Sequence, residues 1–307
     1  MYILLTRVAQ IAGFLGSGKT TTLIRLGKEL SLNHGKKVSI IVNEVGEVGI
    51  DGSFIRDFGF EVREIVQGCI CCSLQGDLQS TLKILIENYR PDIILIEPTG
   101  IALPSKIREI VDGLAGISIE QAPVVALVDG SRFRSMFREM ERFLIKQIKE
   151  ADVVAINKAD LIESKWEIEL LKSAIRELNP SAYIFNMSAK RGDGINELID
   201  IILQGGMKSS ILGAGEDSVT LAGMGRAALK ISFKASEDVG ETKIKVVVSD
   251  ILNGIADTSL NSGSGLIGHV KAYLKTPAGS FKASVLEVKH GVDFAGDLKG
   301  SVRDGEM

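Results

Sequence analysis

The chain has 307 residues, of which 45% are hydrophobic, so it is long enough for one large domain and one small domain with buried cores. Its formal net charge of -3 provides no basic field, so we expect no nucleic-acid partner. No apolar run approaches the roughly 20 residues of a membrane-spanning helix, so we expect no membrane partner. A phosphate-binding motif already begins at Gly13, which leaves no room for a cleaved targeting segment, and we expect a cytoplasmic protein.

Short β-branched segments alternate with longer amphipathic segments through the first two thirds of the chain. This alternation predicts an α/β domain with a mostly parallel sheet flanked by helices, because parallel strands are joined by crossover helices. The predicted strands are Val8–Ala12, Val38–Asn43, Glu61–Val66, Ile93–Glu97, Val124–Val128, Val153–Asn157 and Tyr183–Met187. The predicted helices cover about 19–33, 73–88, 104–114, 131–150, 163–178 and 194–204.

The composition changes near residue 205. Residues 206–228 are rich in Gly, Ser and Ala, which predicts a linker between a domain at 1–205 and a second domain at 229–307. The second domain is predicted to be a small α+β unit for client docking, with a loose polar tail from Asp297 onwards. Its predicted elements are a strand at Leu229–Lys234, a helix at Lys243–Asp257 and a hairpin of Ile267–Lys275 with Ser280–Val288.

A glycine-rich motif follows the first predicted strand and opens the first predicted helix. Residues 13–20 are Gly-Phe-Leu-Gly-Ser-Gly-Lys-Thr, which matches the phosphate-loop pattern G-x-x-x-x-G-K-[ST]. The glycines would let backbone amides wrap the phosphates, and the helix dipole would face the anion. Lys19 would bridge the β- and γ-phosphates, Thr20 would ligate Mg²⁺, and Thr21 would contact a further phosphate. The predicted phosphate-binding residues are Gly13, Gly16, Ser17, Gly18, Lys19, Thr20 and Thr21, and the alternatives are a chance glycine turn and a dinucleotide-binding loop.

Two acidic residues at predicted strand ends are candidates for Mg²⁺ binding. Glu97 ends an apolar strand and could hold Mg²⁺ directly or through water, while the amide of Gly100 would sense the γ-phosphate. Glu44 begins a glycine-rich loop and could contact Mg²⁺ or orient the attacking water, with Glu47 as a weaker candidate. The alternatives are a plain strand terminus for Glu97 and a solvated acidic loop for Glu44.

The base is indicated by Asn157-Lys158-Ala159-Asp160, again at a strand end. The Asp160 carboxylate could accept hydrogen bonds from N1–H and the 2-amino group of guanine, a pair of donors that adenine lacks. Asn157 would tie neighbouring loops together, and the Lys158 stem would lie over the base plane. Ser188-Ala189-Lys190 follows the next strand and resembles the Ser-Ala-Lys element of GTPases, whose backbone amide meets guanine O6. The first motif alone also fits a helix cap, but both together predict binding of GTP and GDP.

The chain's three cysteines, Cys69, Cys71 and Cys72, lie close together and form a poor disulfide framework. Ser73 could cap the following helix, whose positive end would then favour thiolates. Three neighbouring thiolates suit a soft or borderline ion such as Zn²⁺, Co²⁺, Ni²⁺ or Cu⁺, and they leave a fourth position for a carboxylate, a water or a partner's group. Ordinary buried cysteines and a redox or persulfide role are the alternatives.

These motifs together resemble the CobW-like family of P-loop GTPases, relatives of the nickel-handling urease and hydrogenase accessory GTPases. The resemblance covers roughly residues 8–204 and rests on Gly13–Thr21, Asn43-Glu44-x-Gly46-Glu47, Gly68-Cys69-x-Cys71-Cys72, Glu97-x-x-Gly100 and Asn157–Asp160. It implies a SIMIBI-type sheet, a slow GTPase, and often a homodimer. It also implies Zn²⁺ or Co²⁺ at the cysteines, delivered as metal or within a cofactor such as cobalamin to a client metalloenzyme or corrinoid protein.

Two features depart from the family pattern. Pro98 stands where the family often has a small hydroxyl residue, and the chain has only three histidines instead of the histidine-rich tract of many members. The segment after 225 does not obviously match the family's usual carboxyl-terminal domain, which leaves the client open.

We therefore predict hydrolysis of GTP to GDP and phosphate with Lys19, Glu44 and Glu97 as the catalytic residues, mainly by positioning and charge neutralisation. The competing hypotheses are a GTP-gated interaction switch without metal transfer and a P-loop kinase acting on a small substrate.

Overall fold

The computed structural model describes residues 5–44, 60–66, 73–98, 103–114, 117–204, 232–261, 270–285 and 291–307. Contacts between residues divide the chain into two units, and the described part of the first ends at residue 204 while that of the second begins at residue 232. The predicted linker, 206–228, lies outside the described residues, so the domain limits stay predictions.

The first unit alternates strands and helices in chain order. Its strands are β1 (Thr6–Gly13), β2 (Val38–Glu44), β3 (Glu61–Val66), β4 (Ile93–Glu97), β5 (Ile119–Gln121), β6 (Val125–Asp129), β7 (Val153–Asn157) and β8 (Tyr183–Asn186). Its helices are α1 (Lys19–Leu32), α2 (Ser73–Ile84, continued by a π-helical turn at Leu85–Tyr89), α3 (Pro104–Asp112), α4 (Phe133–Lys149), α5 (Lys165–Leu178) and α6 (Ile195–Gln204). The predicted elements are confirmed to within about two residues, as expected for element ends. Among the described elements of this unit, the sequence does not predict β5 or a 3-10 turn at Ala159–Leu161, because three residues are too short for a periodic pattern.

The sheet has the strand order β3-β2-β4-β1-β6-β7-β8, with β5 also paired to β1. Every pairing described in it is parallel. Strands β2, β3 and β4 lie on one side of β1, and β6, β7 and β8 lie on the other. The direction in which the chain adds strands to the sheet therefore reverses next to β1. Open α/β sheets bind ligands at such a reversal, outside the carboxyl ends of the strands. The fold places the predicted phosphate loop at this position.

Helices cover both faces of the sheet. Helices α2 and α3 pack on Val8, Ile94 and neighbouring strand residues, and α4 and α5 pack on Val154 and Ile156. Helices α1 and α6 contact each other, and α1 packs on β1, β2 and β4. Burial on both faces explains why central strands such as β4 are continuously apolar instead of alternating.

The edge strand β8 is joined to α6 by a hydrogen bond from the Tyr183 hydroxyl to Glu197 Oε1 at 2.6 Å. This hydrogen bond, followed by slight burial and the charge of Glu197, raises the pKa of Tyr183 above its ordinary value. A raised folded pKa contributes stability that is fully present below the unfolded value, and this stability is lost as the pH rises through the folded value. The window therefore lies above about pH 10.

We expect Glu197→Gln to lower the pKa of Tyr183, because the neutral amide no longer repels the phenolate. An absorbance titration of the phenolate measures this, with Tyr183→Phe identifying the Tyr183 signal among the four tyrosines. Superimposable titrations of the wild type and the Gln variant would contradict it.

The second unit is an antiparallel sheet with one long helix. Its elements are β9 (Ser232–Val239), α7 (Glu241–Asn261), β10 (Val270–Thr276), β11 (Gly279–Val285), β12 (Asp293–Leu298) and β13 (Val302–Glu306). The strand order is β12-β11-β10-β13-β9, and α7 packs Ile244, Val248 and Leu252 against it. The predicted helix is confirmed, and so is the hairpin over its described residues; residues 229–231 of the predicted first strand and 267–269 and 286–288 of the predicted hairpin lie outside the described residues. None of the described helices combines the length and apolar character needed to cross a bilayer.

The prediction of a loose polar tail from Asp297 is wrong. The tail contains the end of β12, which pairs with β11, and all of β13, which pairs with β10 and β9. Leu298 and Val302 are buried in the core of this unit. Backbone pairing and these two apolar anchors order a segment whose polar composition alone suggests no structure.

Candidate nucleotide-binding site

The phosphate loop lies between β1 and α1, where the sequence predicts it. Gly13, Gly16 and Gly18 have φ angles of 145°, 77° and 95°, which other residues rarely adopt. A Cβ on Gly18 would lie 2.3 Å from Asn157 Nδ2, and one on Gly13 would lie 2.5 Å from the Leu127 carbonyl oxygen. The loop therefore requires these glycines for its backbone conformation and for its close approach to β6 and β7.

The first residues of α1 point their polar atoms into the same edge of the sheet. Lys19 is buried, and its ammonium donates a hydrogen bond to the Phe14 carbonyl oxygen at 3.3 Å. The Thr20 hydroxyl donates to Glu97 Oε1 at 3.0 Å, so the end of β4 meets the start of α1. A hydroxyl and a carboxylate are the hard oxygen ligands that Mg²⁺ prefers, so this buried pair fits the predicted ion. Thr21 is exposed at the next position.

Asn157 joins three loops at the carboxyl edge. Asn157 is 1% exposed, and its Nδ2 donates a hydrogen bond to the Ser17 carbonyl oxygen at 2.6 Å. Its Oδ1 accepts from the backbone amide of Ala189 at 2.9 Å. The end of β7 is thus hydrogen-bonded to the phosphate loop and to the loop after β8, which is the tie that the sequence predicts for Asn157.

The Ser188–Lys190 turn is shaped by contacts within the protein. The Ser188 amide donates to the Asp193 carbonyl oxygen at 3.0 Å, and the Ser188 hydroxyl accepts from the Arg191 amide at 3.1 Å. Arg25 of α1 donates to the Lys190 carbonyl oxygen. Because the Ala189 amide already serves Asn157, the contact of a turn amide with guanine O6 stays a prediction.

Lys158 and Asp160 follow Asn157 on the same edge. Lys158 has a φ of 60°, an unusual left-handed conformation for a side chain of this size. Asp160 is partly exposed, and within the described residues its carboxylate has no hydrogen bond or ion pair. A carboxylate at this edge that has no donor among the described residues can accept from the two adjacent donors of guanine.

Asp129, which is absent from the predicted site residues, lies at the same edge of the sheet. It ends β6, and its Oδ2 lies 2.8 Å from the ammonium of Lys158. A signal was present, because Val-Ala-Leu-Val-Asp ends an apolar strand with an acid in the same way as Ile-Ile-Leu-Ile-Glu at β4. An acid that ends an apolar strand near a nucleotide-binding motif is therefore a candidate site residue, as Glu97 is.

Several predicted site residues cannot be placed. Gly100 and the cysteines Cys69, Cys71 and Cys72 lie outside the described residues, and so does Glu47. The backbone of Glu44 ends β2, which is the neighbour of β4, but its side chain is outside what the structure describes. Among the described residues no group of three or more His, Cys, Asp or Glu side chains could hold a metal ion. The transition-metal prediction therefore depends on the cysteines.

Comparisons with known proteins identify relatives of this chain. The Escherichia coli protein named zinc chaperone YeiR is 36% identical over 165 residues, which are 51% of this chain and 47% of that protein. Zinc-regulated GTPase metalloprotein activator 1 of Schizosaccharomyces pombe is 29% identical over 214 residues, which are 67% of this chain and 51% of that protein. The chain thus spans about half the length of these curated relatives.

The fold also has a counterpart among solved structures. The crystal structure of the hydrogenase maturation factor HypB from Archaeoglobus fulgidus aligns with 66% of this chain and 90% of that chain, with a TM-score of 0.50 and 24% identity. The family model described as the CobW/HypB/UreG nucleotide-binding domain matches residues 7–186, which contain the phosphate loop, Glu97 and Asn157–Asp160 and end before Ser188–Lys190. Since this match covers more than half of the 307 residues, the chain belongs to the CobW/HypB/UreG family.

Proposed function

We propose that this protein binds and slowly hydrolyses GTP, and that the nucleotide state controls the binding and delivery of a transition metal. The observation that carries the nucleotide part is the position of Asn157, which ties the phosphate loop to both guanine-side loops. The metal part is supported by the three clustered cysteines and by relatives that are named zinc chaperones.

Guanine would be selected by the loop after β7. The Asp160 carboxylate would accept hydrogen bonds from N1–H and the 2-amino group, and the Lys158 stem would cover the base. Adenine would leave the carboxylate facing an acceptor, so this geometry favours GTP over ATP. Competition of ATP with GTP distinguishes this proposal from a P-loop kinase acting on a small substrate.

Hydrolysis would depend on charge neutralisation at the phosphates. Lys19 would turn from the Phe14 carbonyl oxygen to the β- and γ-phosphates, and the Thr20–Glu97 pair would hold Mg²⁺. When bound there, Mg²⁺ neutralises phosphate charge. Glu44 would orient the attacking water, and the Gly100 amide would sense the γ-phosphate. Without an identified arginine finger or catalytic glutamine in the sequence, we propose a slow intrinsic rate.

We propose zinc as the first candidate metal and Co²⁺ as an alternative, because both suit clustered thiolates. The client would be a metalloenzyme or a corrinoid protein in the cytoplasm, with the second unit as a docking domain and a homodimer as the assembly. A GTP-gated switch without metal transfer remains the second candidate function.

The deciding experiment is a Co²⁺ titration of the reduced protein with GTP, with GDP and without nucleotide. We expect thiolate absorption bands that disappear in Cys71→Ser. The Co²⁺ affinity that they report should differ between the GTP-bound and GDP-bound protein. By linkage, the metal must then change the affinity for GTP by the same factor. Absence of thiolate bands in every nucleotide state would remove the metal proposal and leave the switch.

A further inference from the structure

We infer that Asp129 is a positioning residue for the guanine base, acting through Lys158. This inference rests on the proposed binding of GTP. Asp160 would form hydrogen bonds with the edge of the base, whereas Asp129 would hold the Lys158 stem in the place where it covers the face of the base.

The Asp129 carboxylate is fixed before it meets the lysine. Its Oδ1 accepts hydrogen bonds from the Ser131 amide at 3.1 Å, the Ser131 hydroxyl at 2.7 Å and the Arg132 amide at 3.2 Å. These bonds come from the turn between β6 and α4, so the carboxylate cannot rotate freely. They direct Oδ2 to the Lys158 ammonium at 2.8 Å.

Asp129 is more deeply buried than Lys158. The Asp129 side chain is 1% exposed, while the Lys158 side chain is 20% exposed. The buried Asp129 carboxylate therefore fixes the ammonium of the partly exposed Lys158, because a buried carboxylate is strongly destabilising without a paired cation. Four rotatable bonds of the lysine are thus restrained in the nucleotide-free protein, and less ordering is left for the moment of binding.

The two acids make different predictions about the base. Inosine nucleotides lack only the 2-amino group, which Asp160 is proposed to contact. A residue that holds Lys158 against the face of the purine should affect guanine and inosine nucleotides equally. The ratio of GDP to IDP affinity therefore separates positioning of the stem from recognition of the edge.

The chain offers a matched control at the opposite edge of the sheet. Asp152 has a 1% exposed side chain, pairs with Arg108 at 2.6 Å, and accepts from the Val124 amide at 2.7 Å. It precedes β7, whereas Asp129 ends β6, so the same chemistry lies at the amino ends of the strands, away from the nucleotide site. Asp152→Asn should lower stability without changing nucleotide affinity.

The test measures the dissociation constants of GDP and IDP by calorimetry for the wild type, Asp129→Asn, Lys158→Met and the double variant. Asn keeps an acceptor for the turn amides but loses the charge, and Met keeps an apolar stem without the ammonium. We expect each single variant to weaken GDP about tenfold. The double variant should be no weaker than the weaker single variant, and the GDP-to-IDP ratio should stay at the wild-type value.

Wild-type affinity of Asp129→Asn, tighter binding, or an equal loss in Asp152→Asn would each overturn the inference while leaving GTP binding intact. Failure of the wild type to bind GDP would instead overturn the proposed function. If Asp129→Asn does not fold, Lys158→Met decides, because unchanged GDP affinity in that variant leaves Asp129 nothing to position.

Discussion

Asp160→Asn is expected to change the preferred base from guanine to xanthine. Asparagine presents one acceptor and one donor where the carboxylate presents two acceptors. Xanthine has N1–H beside a carbonyl oxygen, which complements asparagine, whereas the 2-amino group of guanine would face the new amide donor. We expect GDP affinity to fall by about 100- to 1000-fold, with binding of xanthosine diphosphate appearing in the variant.

Titration calorimetry with both nucleotides measures this exchange. Glu163→Gln is a suitable control, because Glu163 is an exposed acid three residues farther on and should have no effect. Loss of both nucleotides in Asp160→Asn would indicate a folding defect, and retention of wild-type GDP affinity would show that Asp160 does not contact guanine.

Gly18→Ala is expected to abolish most nucleotide binding. The added Cβ would lie 2.3 Å from Asn157 Nδ2, and the φ of 95° is unfavourable for alanine. Asn157 would have to move, and the buried hydrogen bonds to Ser17 and Ala189 would be lost together. With about 1–3 kcal/mol for each buried group left unsatisfied, we expect GDP affinity to fall by about 100-fold or more.

Gly35→Ala is the matched control for this variant. Gly35 also has a positive φ, 61°, but nothing lies within 4 Å of an added Cβ. It should lower the free energy of unfolding by about 1–2 kcal/mol, which thermal melting detects, and leave GDP affinity unchanged. A Gly18→Ala protein that binds GDP within about threefold of the wild type would show that the packing of Gly18 against Asn157 is not needed.

Much of the nucleotide site could be predicted from the sequence because its parts are local. The phosphate loop needs a strand, specific glycines and a helix within one short segment, and every one of these leaves a mark in the sequence. Asn157 was predicted for the same reason, since it ends an apolar strand inside a recognisable motif.

The ion pair of Asp129 and the strand β13 could not be found in this way because both depend on distant partners. The strand end at Asp129 is visible in the sequence, but its ion pair exists only because parallel pairing of β6 with β7 places it beside Lys158. Residues 302–306 form a strand only because β9 and β10 lie on either side of them. Composition describes neither relationship, since both join segments far apart in the chain.

The central position of β1 separates two kinds of selectivity. The residues proposed to act on guanine lie at or after the ends of β6, β7 and β8, whereas Glu97 ends β4 and Glu44 ends β2 on the other side of β1. GTP and GDP carry the same base, so substitutions on the first side should scale both affinities alike and leave their ratio intact. The free-energy difference between the two nucleotide states would then arise from the other side, where Glu97 and Glu44 end their strands. Substitutions could therefore change the affinity for guanine nucleotides without changing the preference between GTP and GDP.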